Sequence, residues 1–406
     1  MQQHLLKLLP TIGIIESNEI PTHLWDIPQT IGELSYLTHD YFRYYGKFPS
    51  TVAAQLLEQF PAPKNGILLD NFAGSGTSLV EASLRGIKSV GIDINPLAVL
   101  SCKVKTSIYK TDELEKIFIK ISNDFFALNT KPLTTNLPEQ PFLDKWFQEN
   151  IVSDLGKLQN IILELDDKKE KDFFVLAFLA IIRRVSKAYD GEVRPHINKS
   201  KRQRNVFEAF SKKVRDMILS QKEFNIAFAK REEGVSILTD SMENYSNQLP
   251  KGNYWLVISH PPYLNCFDYL PVFNLELEWA NSFKNLWGGK SKKDLRKHEL
   301  KSWPAKTEEN VKNYYDSLEK AYRTTYNLQP KGGKCAIVIG DCTIQGKLEK
   351  VHQKIIGVME NIGYKIHEIN YRTTHYSTGK YSYQHKADYH GEQESKKDAI
   401  LVFVKN

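Results

Sequence analysis

The chemistry of this chain is concentrated where a short apolar run breaks off. Trp255 to Ile258 is rich in β-formers and predicts a buried strand, and it stops at Ser259-His260-Pro261-Pro262-Tyr263. Neither proline can donate a ladder hydrogen bond, and each restricts the residue before it, so the turn is stiff. It holds an imidazole, a free carbonyl and an aromatic ring in fixed relation at the carboxyl end of a strand. Open α/β sheets bind ligands outside those ends. A purely structural loop would use the same two prolines.

A second stretch gives the turn a context. Gly66 to Asp70 predicts another buried strand, followed by Asn71-Phe72-Ala73-Gly74-Ser75-Gly76-Thr77. An amphipathic run from Ser78 to Leu84 then ends at Gly86. Ser89 to Asp93 is the next strand, and its acid stands nineteen residues after Gly74. A strand, a glycine turn, a helix, a strand and an acid make a nucleoside-binding unit, in which the acid bonds ribose hydroxyls. Gly74 and Gly76 let the backbone approach a ligand and adopt positive φ.

Asp70 to Thr77, D-N-F-A-G-S-G-T, resembles the D-P-F-x-G-S-G-T motif of S-adenosylmethionine-dependent DNA amino-methyltransferases. The turn S-H-P-P-Y is similar to their (S/D/N)-P-P-(Y/F/W) motif. With the residues that follow it, S-H-P-P-Y-L-N-C-F-D-Y most resembles the T-S-P-P-Y-x-N-x-x-D-Y form of cytosine-N4 enzymes. The resemblance implies S-adenosyl-L-methionine as cofactor and double-stranded DNA as substrate, with room for a cognate restriction endonuclease as a partner; the cytoplasmic location is expected from the unpaired cysteines instead. The cofactor set is then Asp70, Phe72, Ala73, Gly74, Ser75, Gly76, Thr77, Asp93 and Ile94. Phe48 and Pro49 join it, because in such enzymes a segment like Lys47-Phe48-Pro49-Ser50 closes over the methionine end. The same segment could instead lead an ordinary helix that packs on the sheet.

The expected reaction moves a methyl group onto the exocyclic amino group of a base, with cytosine N4 ahead of adenine N6. That amine is a weak nucleophile because its lone pair is delocalised into the ring. Hydrogen bonds to the Pro261 carbonyl and the residue-260 side chain favour its pyramidal form in the transition state. The base must leave the duplex stack, and Tyr263 would stack on it. His260 departs from the family pattern, which has Ser, Asp or Asn there. Neutral imidazole can accept the hydrogen bond and imidazolium cannot. Transfer is therefore expected to fall as pH drops through the His260 pKa, and a profile flat from pH 5 to 8 would remove that role. An RNA base methyltransferase and a catalytically idle nucleic-acid-binding module remain open beside the DNA enzyme.

The remaining elements must position these two turns. At 406 residues, 41% hydrophobic and 25% charged, the chain is globular and can bury a full core. No apolar run approaches the ~18 residues of a membrane span, and the amino terminus lacks the features of a secretory signal. Cys102, Cys266, Cys335 and Cys342 show no paired spacing, so reduced thiols are expected. Strands and helices alternate as in a Rossmann-like doubly wound α/β sheet.

Residues 1–110 would form a lead-in and the cofactor half, 111–232 a basic helical insertion for target recognition, and 233–406 the catalytic half. Residues 1–38 show no clear periodicity and read as extended or short-helical. Ser50 is a plausible N-cap for a helix over 51–60, and Asn95-Pro96 opens another. Asp268 to Trp279 reads as one helix. Between Ile181 and Arg231 there are 14 Lys/Arg against 5 Asp/Glu, so the whole positive balance sits there. Arg194, Lys199, Lys201, Arg202 and Arg204, with Asn and Gln among them, suit phosphate contact and base reading. A solvated basic loop is the plainer alternative. Val235 to Asp240 predicts a strand ending in an acid, and Asp240 is a further cofactor contact that would accept from the cofactor's adenine amino group, unless it caps the following turn instead. His375, His385 and His390 lie in a tyrosine-rich stretch without metal-ligand spacing, so no metal is expected.

Overall fold

The computed structural model describes residues 9–16, 20–30, 32–127, 137–166, 168–228, 235–239, 249–287, 290–374 and 398–406. The strands in chain order are β1 (Thr11–Glu16), β2 (Thr22–Ile27), β3 (Gly66–Asp70), β4 (Lys88–Asp93), β5 (Val235–Thr239) and β6 (Asn253–Ser259). They continue with β7 (Lys334–Gly340), β8 (Cys342–Ile344), β9 (Lys347–Glu349), β10 (Tyr364–Thr374) and β11 (Asp398–Lys405). Nine of them form one sheet in the order β1-β2-β10-β11-β7-β6-β3-β4-β5, and β8 pairs β9 in a separate hairpin. From β7 to β5 every neighbouring pair is parallel, while β11 runs antiparallel to both β7 and β10.

The chain leaves β3 for β4 and β5 on one side, then returns to β6 and β7 on the other. The reversal falls between β3 and β6, so their carboxyl ends, Asp70 and Ser259, flank the sheet's switch point. That crevice is where a doubly wound sheet takes its ligand.

The helices are α1 (Ser50–Gln59), α2 (Thr77–Leu84), α3 (Pro96–Thr106), α4 (Thr111–Ala127), α5 (Gln140–Trp146), α6 (Glu149–Leu163) and α7 (Lys169–Val185). After them come α8 (Val206–Phe228), α9 (Tyr269–Val272), α10 (Asn274–Ala280), α11 (Lys284–Trp287), α12 (Lys292–His298), α13 (Glu308–Leu328) and α14 (Val351–Ile362). Side-chain alternation divides the sheet between them. Leu68, Leu256, Ile258 and Val338 face Val52, Leu56 and Leu57 of α1 and Ala82 of α2. Leu69, Val257, Ile337 and Leu401 face Leu318 and Tyr322 of α13 and Ile355 and Met359 of α14. Each such buried side chain contributes about 1.5–3 kcal/mol of transfer free energy. No described helix is long and apolar enough to cross a membrane.

Helices α4 to α8 fill the span between α3 and β5. They share one apolar cluster with Leu97 and Leu100 of α3, with Tyr41 and Tyr44, and with Val272 and Phe273 beyond the P-P-Y turn. A buried ion pair crosses that cluster. Arg183 Nε lies 3.3 Å from Glu276, with both side chains only 8% exposed. Burial still pushes the Glu276 carboxyl up, because desolvation outweighs its partner.

Within the lead-in expected to be extended or short-helical, Thr11–Glu16 and Thr22–Ile27 pair as β1 and β2, and β2 joins the main sheet in parallel with the distant β10. Two local expectations are corrected. Ser50 is the first helical residue rather than the N-cap, and its hydroxyl donates to the Leu34 carbonyl at 3.0 Å. Asp268–Trp279 is broken into α9 and α10 at Phe273, whose ring stacks on Tyr44 with centroids 4.7 Å apart.

Candidate active site

The glycine turn is built as its sequence requires. Gly74 and Gly76 have φ of +49° and +80°, in the region that L side chains avoid. A Cβ on Gly76 would stand 2.9 Å from Cys102 Sγ, so helix α3 packs against bare backbone there. Asp70 is buried behind the turn, where it accepts from the Phe72 N–H at 3.2 Å and from the Ser78 hydroxyl. Asp93 closes the turn from the next strand, accepting from the N–H groups of Gly74 and Asn95, each at 2.8 Å. Burial pushes Asp70 up to about 7 and Asp93 up to about 6, against the lowering effect of those donors. Beneath the turn, the fully buried Lys105 donates to the Ser75 carbonyl at 3.0 Å, and burial pushes its pKa down to about 7.

At the other turn, Ser259 shares a hydrogen bond of 3.0 Å with the Tyr322 hydroxyl. The Tyr314 hydroxyl donates to the Pro262 carbonyl at 2.8 Å. His260 lies between two rings, with the centroids of Phe48 and Tyr263 each 5.1 Å away. Burial, and the Arg372 guanidinium after it, push its pKa down to about 3. This corrects the expected pH dependence. His260 is neutral throughout pH 5 to 8, so a flat profile there is what its acceptor role now requires.

Tyr263 is held at three points. Its hydroxyl donates to Asp398 at 3.0 Å, its ring meets His260 edge-on, and a Cβ on Gly340 would fall 2.7 Å from the ring. Asp398 in turn pairs with Arg372.

The two turns face one cavity of about 730 Å³ at the switch point. Of the sequence-derived residues, Phe48, Phe72, Ala73, Gly74, Ser75, Thr77, Asp93, Ile94, His260 and Pro262 line it. Pro49, Asp70, Gly76, Ser259, Pro261 and Tyr263 are not among its lining residues. Two buried side-chain atoms on its wall, Asn71 Oδ1 and Ser75 Oγ, have no hydrogen-bond partner among the described residues. Buried polar atoms are rarely left so, which marks them as ligand contacts in waiting.

The remaining walls come partly from segments the sequence already marked. Lys47 belongs to the segment expected to close over the cofactor, and Tyr269 to the end of the Ser259–Tyr269 resemblance. Residues 297–301 belong to the basic, Gly-containing stretch 284–312, which reads as a lid or a second DNA-contacting loop. Tyr44 and Lys47 enter from the segment before α1, Tyr269 from α9, and Lys297 to Lys301 from the end of α12. Helix α12 is fixed to the segment after the P-P-Y turn by Arg296, which donates to both oxygens of Asp268 at 2.8 and 3.2 Å. Burial pushes the cavity-lining Glu299 up to about 7, although Arg296 opposes it. Only the aromatic run at 41–45 signalled Tyr44 in the sequence, and nothing singled out Glu299 within its basic stretch.

The basic stretch folds as a small hairpin, with Ala188 bridging Ile197 and the Tyr189 N–H donating to the His196 carbonyl. Arg43 donates to the Asp190 carbonyl at 2.7 Å and Tyr45 to that of Glu192 at 2.8 Å, so the hairpin is anchored on either side of cavity-lining Tyr44. Lys201 is committed to the fold, donating to the carbonyls of Arg183 and Ala188 and to the Asp190 carboxylate. Arg204 is exposed but pairs with Asp190 at 3.0 Å, while Arg194, Lys199 and Arg202 are exposed. Asp240, His375, His385 and His390 lie outside the described residues. Among those described, no group of three His, Cys, Asp or Glu could hold a metal ion.

The N6/N4 methyltransferase family model, described as DNA methylase, matches residues 14–103, which span the glycine turn and Asp93 but not the P-P-Y turn. Over that segment the chain is similar to the DNA amino-methyltransferases. It is similar to the Type II methyltransferase M.MvaI of Kocuria varians, at 30% identity over 42% of this chain and 40% of that one. It is also similar to the Type II methyltransferase M.BsoBI of Geobacillus stearothermophilus, at 25% identity over 69% of this chain and 59% of that one. The chain thus spans about half the length of these relatives. An rRNA methylase from Streptococcus thermophilus aligns over 88% of this chain and 97% of its own, at 10% identity and a TM-score of 0.30. A likeness that low adds nothing to the strand order itself.

Proposed function

We propose that this protein transfers a methyl group from S-adenosyl-L-methionine to the exocyclic amino group of a base flipped out of double-stranded DNA, with cytosine N4 the favoured atom. The observation that carries the proposal is the single cavity shared by the glycine turn and the P-P-Y turn. The preference for cytosine rests on the resemblance of the residues from Ser259 to Tyr269. The match of residues 14–103 to the DNA methylase family model and the similarity to Type II methyltransferases support DNA as the substrate class.

The cavity's donor set fits the cofactor. Asp93 presents a carboxylate to ribose hydroxyls, and the open backbone at Gly74 allows close approach. Asn71 Oδ1 and Ser75 Oγ would gain partners from the cofactor's polar groups. When bound, the cofactor supplies a sulfonium methyl that is already activated for transfer.

The chain's task is to hold the amine and polarise it. Neutral His260 accepts a hydrogen bond from the amino N–H, drawing electron density from the ring back toward nitrogen as attack begins. It lines the cavity and Pro261 does not, so His260 has the leading role and the Pro261 carbonyl assists. The stiff turn and the rings of Phe48 and Tyr263 hold the imidazole still, which favours in-line geometry. Arg194, Lys199 and Arg202 supply the exposed phosphate contacts.

The test is transfer of labelled methyl to mixed-sequence duplex DNA, with the product nucleosides resolved by mass spectrometry. N4-methylcytosine is expected. N6-methyladenine would change the base and keep the mechanism. Label appearing on RNA alone would move the substrate class. Cofactor binding without transfer to either nucleic acid would make the protein an idle binder.

A further inference from the structure

Five of the six tryptophans are at most 8% exposed, namely Trp25, Trp146, Trp255, Trp279 and Trp287. Trp303 is 42% exposed and belongs to no apolar cluster of the described residues. An indole left in water forgoes the largest burial gain of any side chain, so its placement calls for an occupant.

Trp303 stands on a fixed pedestal at the cavity mouth. Leu300 and Lys301, just before it, line the cavity. Ser302 and Ala305 on either side are each 3% exposed, and both are tied to Asn265, two residues past Tyr263 of the P-P-Y turn. The Asn265 N–H donates to the Ser302 carbonyl at 2.8 Å, and the Ala305 N–H donates to Asn265 Oδ1 at 3.3 Å. Gln345 holds the next carbonyl, that of Lys306, at 2.7 Å. The loop is therefore coupled to the turn that carries His260, and between the buried Ser302 and Ala305 only Trp303 and Pro304 face outward. The surrounding stretch is basic on balance, with exposed Lys293, Arg296, Lys297, Lys301 and Lys306 against exposed Asp294, Glu308 and Glu309. A rigid aromatic ring among cations fits a stacked, polyanionic partner better than an apolar one.

Resting on the function proposed above, we infer that Trp303 is the side chain that enters the DNA duplex and takes the place of the flipped base. A base that swings into the cavity leaves an unstacked gap, and inserting an apolar or aromatic ring there offsets the lost stacking. Lys301 and Lys306 on the same loop, with Lys293 and Lys297 on the preceding helix α12, would hold the flanking phosphates. Trp303 makes no contact with the reacting atoms, so it acts as a positioning residue.

The test uses the full chain and the site that the wild-type protein methylates, mapped first on genomic DNA. Wild type, W303A and W303F are compared on two duplexes, one with the target base paired and one with it opposite an abasic position. W303A is expected to lose on the order of tenfold or more in kcat/KM on the paired target. It should come within about threefold of wild type on the abasic duplex, where flipping costs little. W303F should fall between the two on the paired target, and cofactor binding should be equal in all three. Equal activity of W303A and wild type on the paired target overturns the inference, as does an equal loss on both duplexes. A wild-type protein that binds cofactor yet methylates no DNA overturns the proposed function together with it.

Discussion

The Gly74 amide donates to Asp93 Oδ2 at 2.8 Å, so the acid of the second strand holds the glycine turn in shape while facing the cavity. Asp93 therefore has two duties, which a substitution removes together. Asp93→Ala should weaken S-adenosylmethionine binding by about 1.5–3 kcal/mol, the usual worth of hydrogen bonds to a charged group. Isothermal calorimetry reads this directly. The pH dependence follows from the raised carboxyls at Asp93, about 6, and Glu299, about 7. A cationic ligand favours their ionised forms, so binding releases protons, and affinity should rise from pH 5.5 to a plateau above 7. Glu299→Gln should flatten the upper part of that rise. An affinity independent of pH in the wild type would contradict the assignment.

His260 makes a prediction for stability, which should fall as the pH falls, as cofactor affinity does. Its folded pKa, about 3, lies below the ordinary imidazole value of 6.5, so between those values the unfolded chain binds more protons. Stability from this group is full above pH 6.5 and is lost as pH falls toward 3. Thermal melts of wild type against His260→Asn should therefore diverge below pH 6, with the variant less acid-sensitive. The chemical rate should show no inflection from His260 between pH 5 and 8. Single-turnover rates at saturating cofactor check this.

Gly76 carries a purely structural prediction. Gly76→Ala places a Cβ at positive φ and 2.9 Å from Cys102 Sγ. Strain and overpacking together should cost about 1–3 kcal/mol, read as a lowered midpoint in denaturant unfolding. The added methyl also shifts the turn that carries Ser75, so cofactor affinity should fall with stability.

Two cations separated by one position should behave differently. Arg202→Ala should weaken duplex binding and reduce the salt slope by about one, since an exposed phosphate contact is removed. Lys201→Ala should instead lower the melting temperature, because three acceptors lose their shared donor. Binding measured as a function of salt concentration, alongside thermal melts, separates the two effects.

How far the sequence foretold this follows from whether each feature is local. The glycine turn was legible because positive φ at Gly74 and Gly76, and an acid at the next strand's end, are requirements carried by the residues themselves. The stiff P-P-Y turn was legible for the same reason. The β1–β2 hairpin was not, since its place depends on β10, where His23 meets Asn370 across 347 residues at 3.0 Å. Glu299 reaches the cavity through tertiary packing and leaves no short-range signal, while Tyr44 and Tyr269 lie in stretches the sequence marks only as aromatic or motif-like, without showing that they meet at the cavity. Charge density marked the 194–204 stretch correctly as basic, but it could not show that Lys201 folds inward onto three acceptors.

The central claim is that neutral His260 polarises an amino group held opposite the cofactor. Its most direct test is single-turnover methyl transfer by wild type and His260→Ala, with cofactor affinity measured on the same samples and products identified by mass spectrometry. The account predicts an exocyclic N-methyl base from the wild type. The variant should keep its cofactor affinity and lose about 10²–10³-fold in rate, as when one transition-state hydrogen-bond partner is removed. A variant that transfers at the wild-type rate, or a label on ring carbon instead of the amino group, would contradict it.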